Sequence, residues 1–204
     1  MPSSEDETTP PAGFGWVLHV DPSVLDVTPM IERFGQVYRY PIGDGDRARA
    51  MAPGQPCFLL RTDRSKVIGI WAIGEVVAPC VAIAVDDDHP AAGRAEPLDE
   101  DGDQLYAEVD LVPLEKPLAL TKLLEAKALA ASELAAPPDG VNPLLLTRAQ
   151  VRAIETFDFW LTEPSDDQRR ALDEVLDAEE IEEIDADAGA MGSVPTNPNE
   201  PSPA

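Results

Sequence analysis

The segment KVIGIWAIGEVV, from Lys66 to Val77, carries the strongest structural pattern in the chain. Both alternating sets of its side chains are largely apolar, which is typical of a strand buried on both faces. Gly69 and Gly74 lie on either side of Trp71, and a strand glycine is typical of a bend or a close backbone approach, as at the corner of a small barrel. The segment therefore predicts a central barrel strand, with Trp71 either in the core or in a pocket.

Shorter segments on both sides of this strand also have strand or helix patterns. Thr28 and Pro29 predict the cap and first turn of a short helix that ends near Gly35, and the TRAQ sequence at 147–150 is a capping box that opens a helix to about Leu161. The segment from Pro117 to Ala135 is predicted to contain a helix that is rich in Ala and Leu and capped by Thr121. Alternation predicts strands at 16–20, 36–40, 57–61, 80–85, 105–112 and 142–146. The fold class expected is α+β, a small mixed β-barrel with peripheral helices.

The ends of the chain differ in composition from its centre. Residues 1–12 and 185–204 are rich in Pro and polar residues and are expected to be disordered, because they cannot bury enough apolar surface. Residues 13–163 form the expected domain. The SDDQ sequence at 165–168 is a second capping box and predicts an acidic helix over 164–184.

The charge of the chain is strongly negative but unevenly distributed. A net charge of −24 argues against general attraction to nucleic acid. The segment from Arg33 to Lys66, however, contains seven basic and three acidic residues, so its net charge is +4. Tyr38 and Tyr40 bracket Arg39 there, a mixture of aromatic and basic residues that nucleic-acid stacking sites use. The alternative interpretation is a solvated loop in an acidic protein.

Motifs for catalysis, metals, cofactors and membranes are absent from the sequence. No nucleotide-binding fingerprint, nucleophile elbow or zinc motif occurs, so neither a cofactor nor an enzyme is expected. Cys57 and Cys80 are expected to be reduced thiols, and His19 and His89 share no ligand spacing with them, so no metal is expected. The chain has no apolar run of transmembrane length and an acidic N-terminus, which favour a cytoplasmic protein without a membrane partner.

Six segments, in this order, resemble the motifs of one known family. They are Trp16 to Pro22, Tyr38 to Tyr40, Arg49 to Gln55, Phe58 to Thr62, Gly69 to Val77 and Asn142 to Gln150. Together they resemble the EVE domain family of the PUA-like superfamily over residues 13–158. The sequence departs from the family pattern at Val20, where the family has Ser, at Gln55, where it has Asp, and at Leu60-Arg61, where it has Tyr-His.

The resemblance implies a non-enzymatic module that binds nucleic acid and takes a modified or flipped nucleobase into an aromatic-lined pocket. The partner would be modified DNA or RNA, and any effector protein would act in trans. The implied base-binding residues are four aromatic ones and two that meet the base edge: Trp16, Tyr38, Tyr40, Trp71, Thr62 and Asn142. The implied phosphate-binding residues are Arg39, Arg61 and Lys66. Trp160 is expected to anchor a helix onto the barrel.

Two other functions fit the sequence. A protein-interaction or adaptor module on the same fold would use the acidic C-terminal segment, and a pocket closed by Val20 and Leu60 would favour it. A small-molecule or nucleotide-fragment enzyme would need a carboxylate cluster at the barrel mouth that the sequence does not show.

Overall fold

The computed structural model describes residues 15–20, 25–42, 46–62, 67–84, 103–138 and 140–177. The part of the chain up to Pro164 forms one compact unit, and Ser165 begins a second one. The strands of the first unit are β1 Gly15–Val20, β2 Val37–Pro41, β3 Pro56–Arg61, β4 Gly69–Ala84, β5 Asp103–Ala119 and β6 Leu144–Leu146. The helices are α1 Thr28–Phe34, α2 Asp46–Arg49, α3 Leu120–Leu123, α4 Lys127–Ala130 and α5 Arg148–Glu155.

The six strands form one mixed sheet in the order β2-β5-β4-β3-β1-β6. β1 and β3 are parallel, and the other neighbours are antiparallel. The sheet is open in the residues described, but it curls. The hydroxyl of Tyr40 on β2 donates a hydrogen bond to the carbonyl of His19 on β1, at 3.0 Å. The expected α+β class is confirmed.

The two faces of the sheet support separate cores, because side chains alternate along each strand. On β1, Trp16, Leu18 and Val20 enter one core, which lies inside the curl with residues of β2, β4, β5 and α2. Val17 enters the other core, which α3, α4 and α5 cover. β1 therefore belongs to both cores.

The expected central strand is confirmed only in part. β4 lies between β3 and β5, and Gly69, Ile70 and Ala72 are buried, but Glu75 and Val77 are exposed. The strand pattern did not predict this exposure, which begins where the sheet narrows. β3 starts at Pro56, directly opposite Glu75, and beyond it Val76 still bonds to the turn before β3: its amide donates to the Gln55 carbonyl at 2.9 Å, and its carbonyl accepts from the Gly54 amide at 2.8 Å. The segment after Pro79 continues β4 as its bent end, with register shifts between 76 and 81.

Gly69 and Gly74 of β4 lie where β4 and β5 approach closely, as the sequence predicts for strand glycines. A Cβ on Gly74 would lie 1.6 Å from the carbonyl oxygen of Asp110 on β5, and one on Gly69 would lie 2.1 Å from that of Leu118. Any larger residue at these positions would therefore force β4 and β5 apart.

The helix predictions are correct where the signal is local. Gly35 ends α1 with φ of 75°, and Thr147 and Gln150 form the predicted capping box of α5. The cap of α1 is Val27, however, and not Thr28, and α5 ends at Glu155. The strand predicted at 105–112 extends as β5 to Ala119, where it pairs with the start of β4. The predicted cap at Thr121 is wrong, because α3 begins at Leu120 with Ala119 as its cap. Two single-turn helices follow, α3 and α4.

The second unit is described only for residues 165–177, where residues 166–177 are helical. Its capping box is confirmed: the Ser165 amide donates to Gln168 Oε1 at 2.9 Å, and the Gln168 amide donates to Ser165 Oγ at 3.3 Å. The predicted disorder of 1–12 and 185–204, and the end of the helix at 184, concern residues outside those described. The boundary predicted at 163 remains a prediction.

Candidate functional site

The candidate site is centred on His19, near the end of β1. β6 pairs with β1 from Gly15↔Leu146 to Val17↔Leu144, and the same register continued would place residue 142 opposite His19. Pro143 interrupts this ladder, because proline has no amide N–H to donate. The side chain of Asn142 replaces the missing main chain. Its Oδ1 accepts from the His19 amide at 3.0 Å, and its Nδ2 donates to the His19 carbonyl at 3.2 Å.

Tyr40 fixes the same carbonyl from the other side of the curl. Its hydroxyl lies 3.0 Å from the His19 oxygen, and the side chain is 3% exposed. Burial raises the pKa of Tyr40 well above its usual range, and the hydrogen bond with Asn142 offsets only part of this effect. The phenol therefore stays protonated and remains a donor at neutral pH.

The side chain of His19 pairs with Thr62, which follows β3. Nε2 of the imidazole lies 3.0 Å from Thr62 Oγ1. Thr62 is itself positioned by its amide, which donates to the Val20 carbonyl at 3.1 Å. The sequence prediction missed His19 as a site residue. The signal that could have found it is its place in the Trp16–Pro22 motif, two strand positions after the buried Val17.

A cavity of about 290 Å³ opens beside His19. Its apolar wall comes from Pro137, Pro138 and Val141, and its polar groups come from His19 and Asn142. The volume lies near the lower end of the usual range for small-ligand sites, about 300–1,000 Å³. A small planar ring would thus meet apolar surface on its face and hydrogen-bonding groups at its edge.

The aromatic residues predicted to stack do not gather around this cavity. Trp16 is 2% exposed in the core, where its Nε1 donates to Gln55 Oε1 at 2.5 Å. Tyr38 packs edge-to-face against Phe34, with ring centroids 5.3 Å apart. Trp71 donates from Nε1 to the Val67 carbonyl at 2.8 Å. Of the six predicted base-binding residues, the structure brings together Tyr40, Thr62 and Asn142.

The predicted phosphate-binding residues also lie apart. Arg39 forms an ion pair with Glu108 across β2 and β5, with Nη2 and Oε1 2.7 Å apart. Arg61 is 8% exposed, and its guanidinium carbon lies 4.6 Å from the centre of the Trp71 ring. Lys66 lies outside the described residues. The charges of Arg39 and Arg61 are therefore already engaged within the protein.

A further ion pair occupies another basic residue of the +4 segment. Both terminal nitrogens of Arg47 bind the carboxylate of Glu133, at 2.7 and 2.9 Å. Glu133 Oε2 also accepts from the Leu145 amide at 2.8 Å. Burial raises the pKa of Glu133, but the hydrogen bonds from Arg47 and Leu145 and the charge of Arg47 outweigh burial, so the pKa is lowered. This pair joins α2 to the segment that precedes β6.

The structure also describes Trp160 and the two cysteines. Trp160, which was expected to anchor a helix onto the barrel, is 74% exposed. Cys57 is a buried free thiol, and Cys80 is a half-buried one. Among the residues described, no group of three His, Cys, Asp or Glu side chains could hold a metal ion, and none of the helices is long and apolar enough to cross a membrane.

Comparison with known proteins finds similarity in structure alone. No family model and no curated protein sequence matches the chain. The similar structures include protein PSPTO5229 from Pseudomonas syringae, with 20% identity and a TM-score of 0.49 over 69% of this chain and 96% of that one. Human THYN1, in complex with DNA that contains 5-methylcytosine, has 15% identity and a TM-score of 0.42 over 71% of this chain and 99% of its own.

A mutant ASCH protein from Zymomonas mobilis has 16% identity and a TM-score of 0.41 over 72% of this chain and 99% of its own. The sequence motifs themselves lie on β1, β2, the turn after α2, β3, β4 and the β6–α5 segment, and the strands β3, β1 and β6 are adjacent in the sheet. In the order of its motifs and in its mixed α+β fold, the chain resembles the EVE domain family of the PUA-like superfamily.

Proposed function

We propose that this protein is a non-enzymatic nucleic-acid-binding module whose base contact is the cavity beside His19. The observation that carries this proposal is that His19 and Asn142 line one small cavity with an apolar wall, while Thr62 Oγ1 lies 3.0 Å from Nε2 of the His19 ring. The proposed ligand is a flipped or modified base, because such a base offers both a flat face and a free hydrogen-bonding edge.

The side chains of His19 and Thr62 are the proposed readers of the base edge. An imidazole and a hydroxyl can each donate or accept, so the pair can adapt to different base edges. Asn142 and Tyr40 have another part in the proposal, because both already bind the main chain of His19. They hold β1 in place and so position the readers.

Stacking in this site would come from Pro137, Pro138 and Val141 in place of the aromatic residues first expected. The burial of Trp16 supports a core role, and stacking on it remains a prediction without support from this arrangement. Arg39 and Arg61 would reach phosphate only by leaving Glu108 and the Trp71 ring. The proposal therefore assigns most of the affinity to the base and little to the backbone.

The test is a binding titration of the full chain against single-stranded and duplex oligonucleotides that contain 5-methylcytosine, other modified bases or no modification. Thr62→Val removes the hydroxyl at nearly constant shape, and His19→Phe removes the imidazole nitrogens but keeps a ring. Each should weaken binding by about 0.5–1.5 kcal/mol, roughly 2- to 13-fold.

The matched control is Thr121→Val, at an exposed position of α3, which should bind as the parent does. Binding of all the oligonucleotides by folded Thr62→Val and His19→Phe variants with the affinity of the parent would overturn the proposed site. A parent protein that binds none of them at millimolar concentration would overturn the function itself.

The alternative, an adaptor that uses the acidic C-terminal segment, concerns residues of which only 165–177 are described. Val20 and Leu60, which were expected to close the pocket in that case, are both buried, at 1% and 0% exposed. Neither lines the cavity beside His19, so their burial does not decide between the two functions.

A further inference from the structure

A second cavity, of about 450 Å³, lies where β3, β4 and β5 meet α5 and the segment that follows it. It shares no lining residue with the cavity beside His19. Its lining combines two aromatic rings, Phe58 and Phe159, with three carboxylates, Glu75, Asp110 and Glu155, and no lysine or arginine. We refer to it as the acidic–aromatic cavity.

Two of these carboxylates oppose each other directly. Glu75 on β4 is the register partner of Asp110 on β5. Like charges at directly opposite positions of neighbouring strands destabilise a sheet, and no ion pair to either residue occurs in the part of the chain that the structure describes. A cation between them would convert this repulsion into attraction.

Asp110 also has an unused hydrogen-bond acceptor. Its Oδ1 is buried and accepts no hydrogen bond from any described residue. Burial raises the pKa of Asp110, and the charge of Glu75 raises it further. A buried acceptor without a donor is destabilising, and a ligand that supplies N–H groups would remove this cost.

The form of the cavity favours a guanidinium over a compact ammonium. A guanidinium is planar, offers five N–H groups in a fixed fork, and stacks on aromatic rings. Phe58 and Phe159 provide rings, and Asp110 and Glu75 provide acceptors, within one cavity. An ammonium ion would be attracted by the carboxylates but would not stack on the flat aromatic rings.

One exposed apolar side chain lines the cavity, and a second directly precedes it in the sequence. Leu161 lines it and is 44% exposed, and the preceding Trp160 is 74% exposed. Their backbone is firmly attached to β5, since the Glu115 amide donates to the Trp160 carbonyl at 2.9 Å and the Thr162 amide donates to the Pro113 carbonyl at 2.8 Å. An exposed tryptophan on a fixed backbone is typical of a protein-binding hot spot.

We propose that the acidic–aromatic cavity is a protein-docking site that takes one arginine side chain from a basic segment of a partner protein. The arginine enters between Phe58 and Phe159 and binds Asp110 and Glu75, while Trp160 packs against an apolar neighbour of that arginine. The net charge of −24 attracts such a segment and accelerates its association. This function is separate from nucleic-acid binding and does not depend on it.

The test uses the full chain and three short labelled peptides that differ at one central position, which holds arginine, citrulline or lysine between leucine and uncharged residues. Citrulline has nearly the shape of arginine without its charge. We expect the arginine peptide to bind about tenfold or more tighter than the citrulline peptide, with the lysine peptide between them. Asp110→Asn should remove most of the difference between arginine and citrulline, and Trp160→Ala should weaken all three peptides.

The control is Glu125→Gln, an exposed position that changes the net charge by the same amount and does not line the cavity. Glu75→Gln, at an exposed position, tests the same carboxylate pair if Asp110→Asn does not fold. Equal binding of the arginine and citrulline peptides, or an equal loss in Glu125→Gln and Glu75→Gln, would overturn the proposal. Failure of the arginine peptide to bind at millimolar concentration would do so as well.

Discussion

Replacement of Asn142 by alanine tests whether its side chain acts as part of the β1–β6 ladder. The substitution removes the acceptor for the His19 amide and one donor to the His19 carbonyl. Each protein hydrogen bond contributes about 0.5–1.5 kcal/mol, so we expect a loss of about 1–3 kcal/mol in the free energy of unfolding. For a domain of this size, that corresponds to a decrease in Tm of roughly 2–12 °C.

Two milder substitutions separate the contributions of the individual hydrogen bonds to this loss of stability. Tyr40→Phe removes one hydrogen bond to the same carbonyl and should cost about 0.5–1.5 kcal/mol. Asn142→Asp keeps the acceptor but turns the donor into a second acceptor that faces the carbonyl, so it should also destabilise. Because Tyr40 and Asn142 share the His19 carbonyl, the losses in the Tyr40→Phe/Asn142→Ala double variant should not be additive.

The assay is urea unfolding of the four proteins and the parent, followed by circular dichroism. The expected order of stability is parent, then Tyr40→Phe, then Asn142→Ala, with the double variant lowest. If Asn142→Ala unfolds at the urea concentration of the parent, the side chain does not replace the ladder, and the reasoning about the site is refuted. Additive losses would refute the shared-acceptor argument alone.

Two further predictions follow from shifted pKa values. Glu133→Gln should lower stability by about 0.2–1 kcal/mol near pH 7, since its pair with Arg47 is partly exposed. Because the pKa of Glu133 is lowered by folding, this difference should shrink as the pH falls below about 4.3, and a difference that stays constant down to pH 2 would contradict the assignment. Burial, with a smaller contribution from the charge of Glu108, raises the pKa of Cys80 to about 11, so native protein at pH 8 should react with iodoacetamide far more slowly than a free cysteine peptide. Mass spectrometry after timed alkylation measures this, and labelling at the rate of the peptide would disprove it.

Local features of this fold could be predicted from the sequence, because their partners lie within a few residues. Both capping boxes join residues three apart in the sequence. Gly35 ends α1 because a glycine can itself adopt the positive φ that the helix end requires. The extension of β5 to Ala119 could not be predicted in the same way. The segment beyond Val112 contains Pro113 and Pro117, which disfavour a strand, but pairing with the start of β4 overrides this preference.

The candidate site was predicted only in part, because its contacts cross long sequence separations. The motifs identified Thr62, Asn142 and Tyr40. All three contact His19, and this contact depends on the registers of β1 with β3 and β6. The acidic partners of Arg39 and Arg47 could not be predicted from composition either. Arg39 and Glu108 are 69 residues apart, and Arg47 and Glu133 are 86 apart. A net charge of +4 in a segment therefore does not show that its charges are available.

The place of β1 in both cores has a consequence for amide hydrogen exchange. Neither core can open without displacing a strand that supplies Trp16, Leu18 and Val20 to one and Val17 to the other. The amides of β1 should therefore exchange only when the whole unit unfolds, whereas those of the edge strand β2 exchange through local opening. His19 lies on this slowest-exchanging strand, so a ligand at its side chain would meet a surface that is ordered before it arrives, and little of the binding free energy would be spent on ordering the protein.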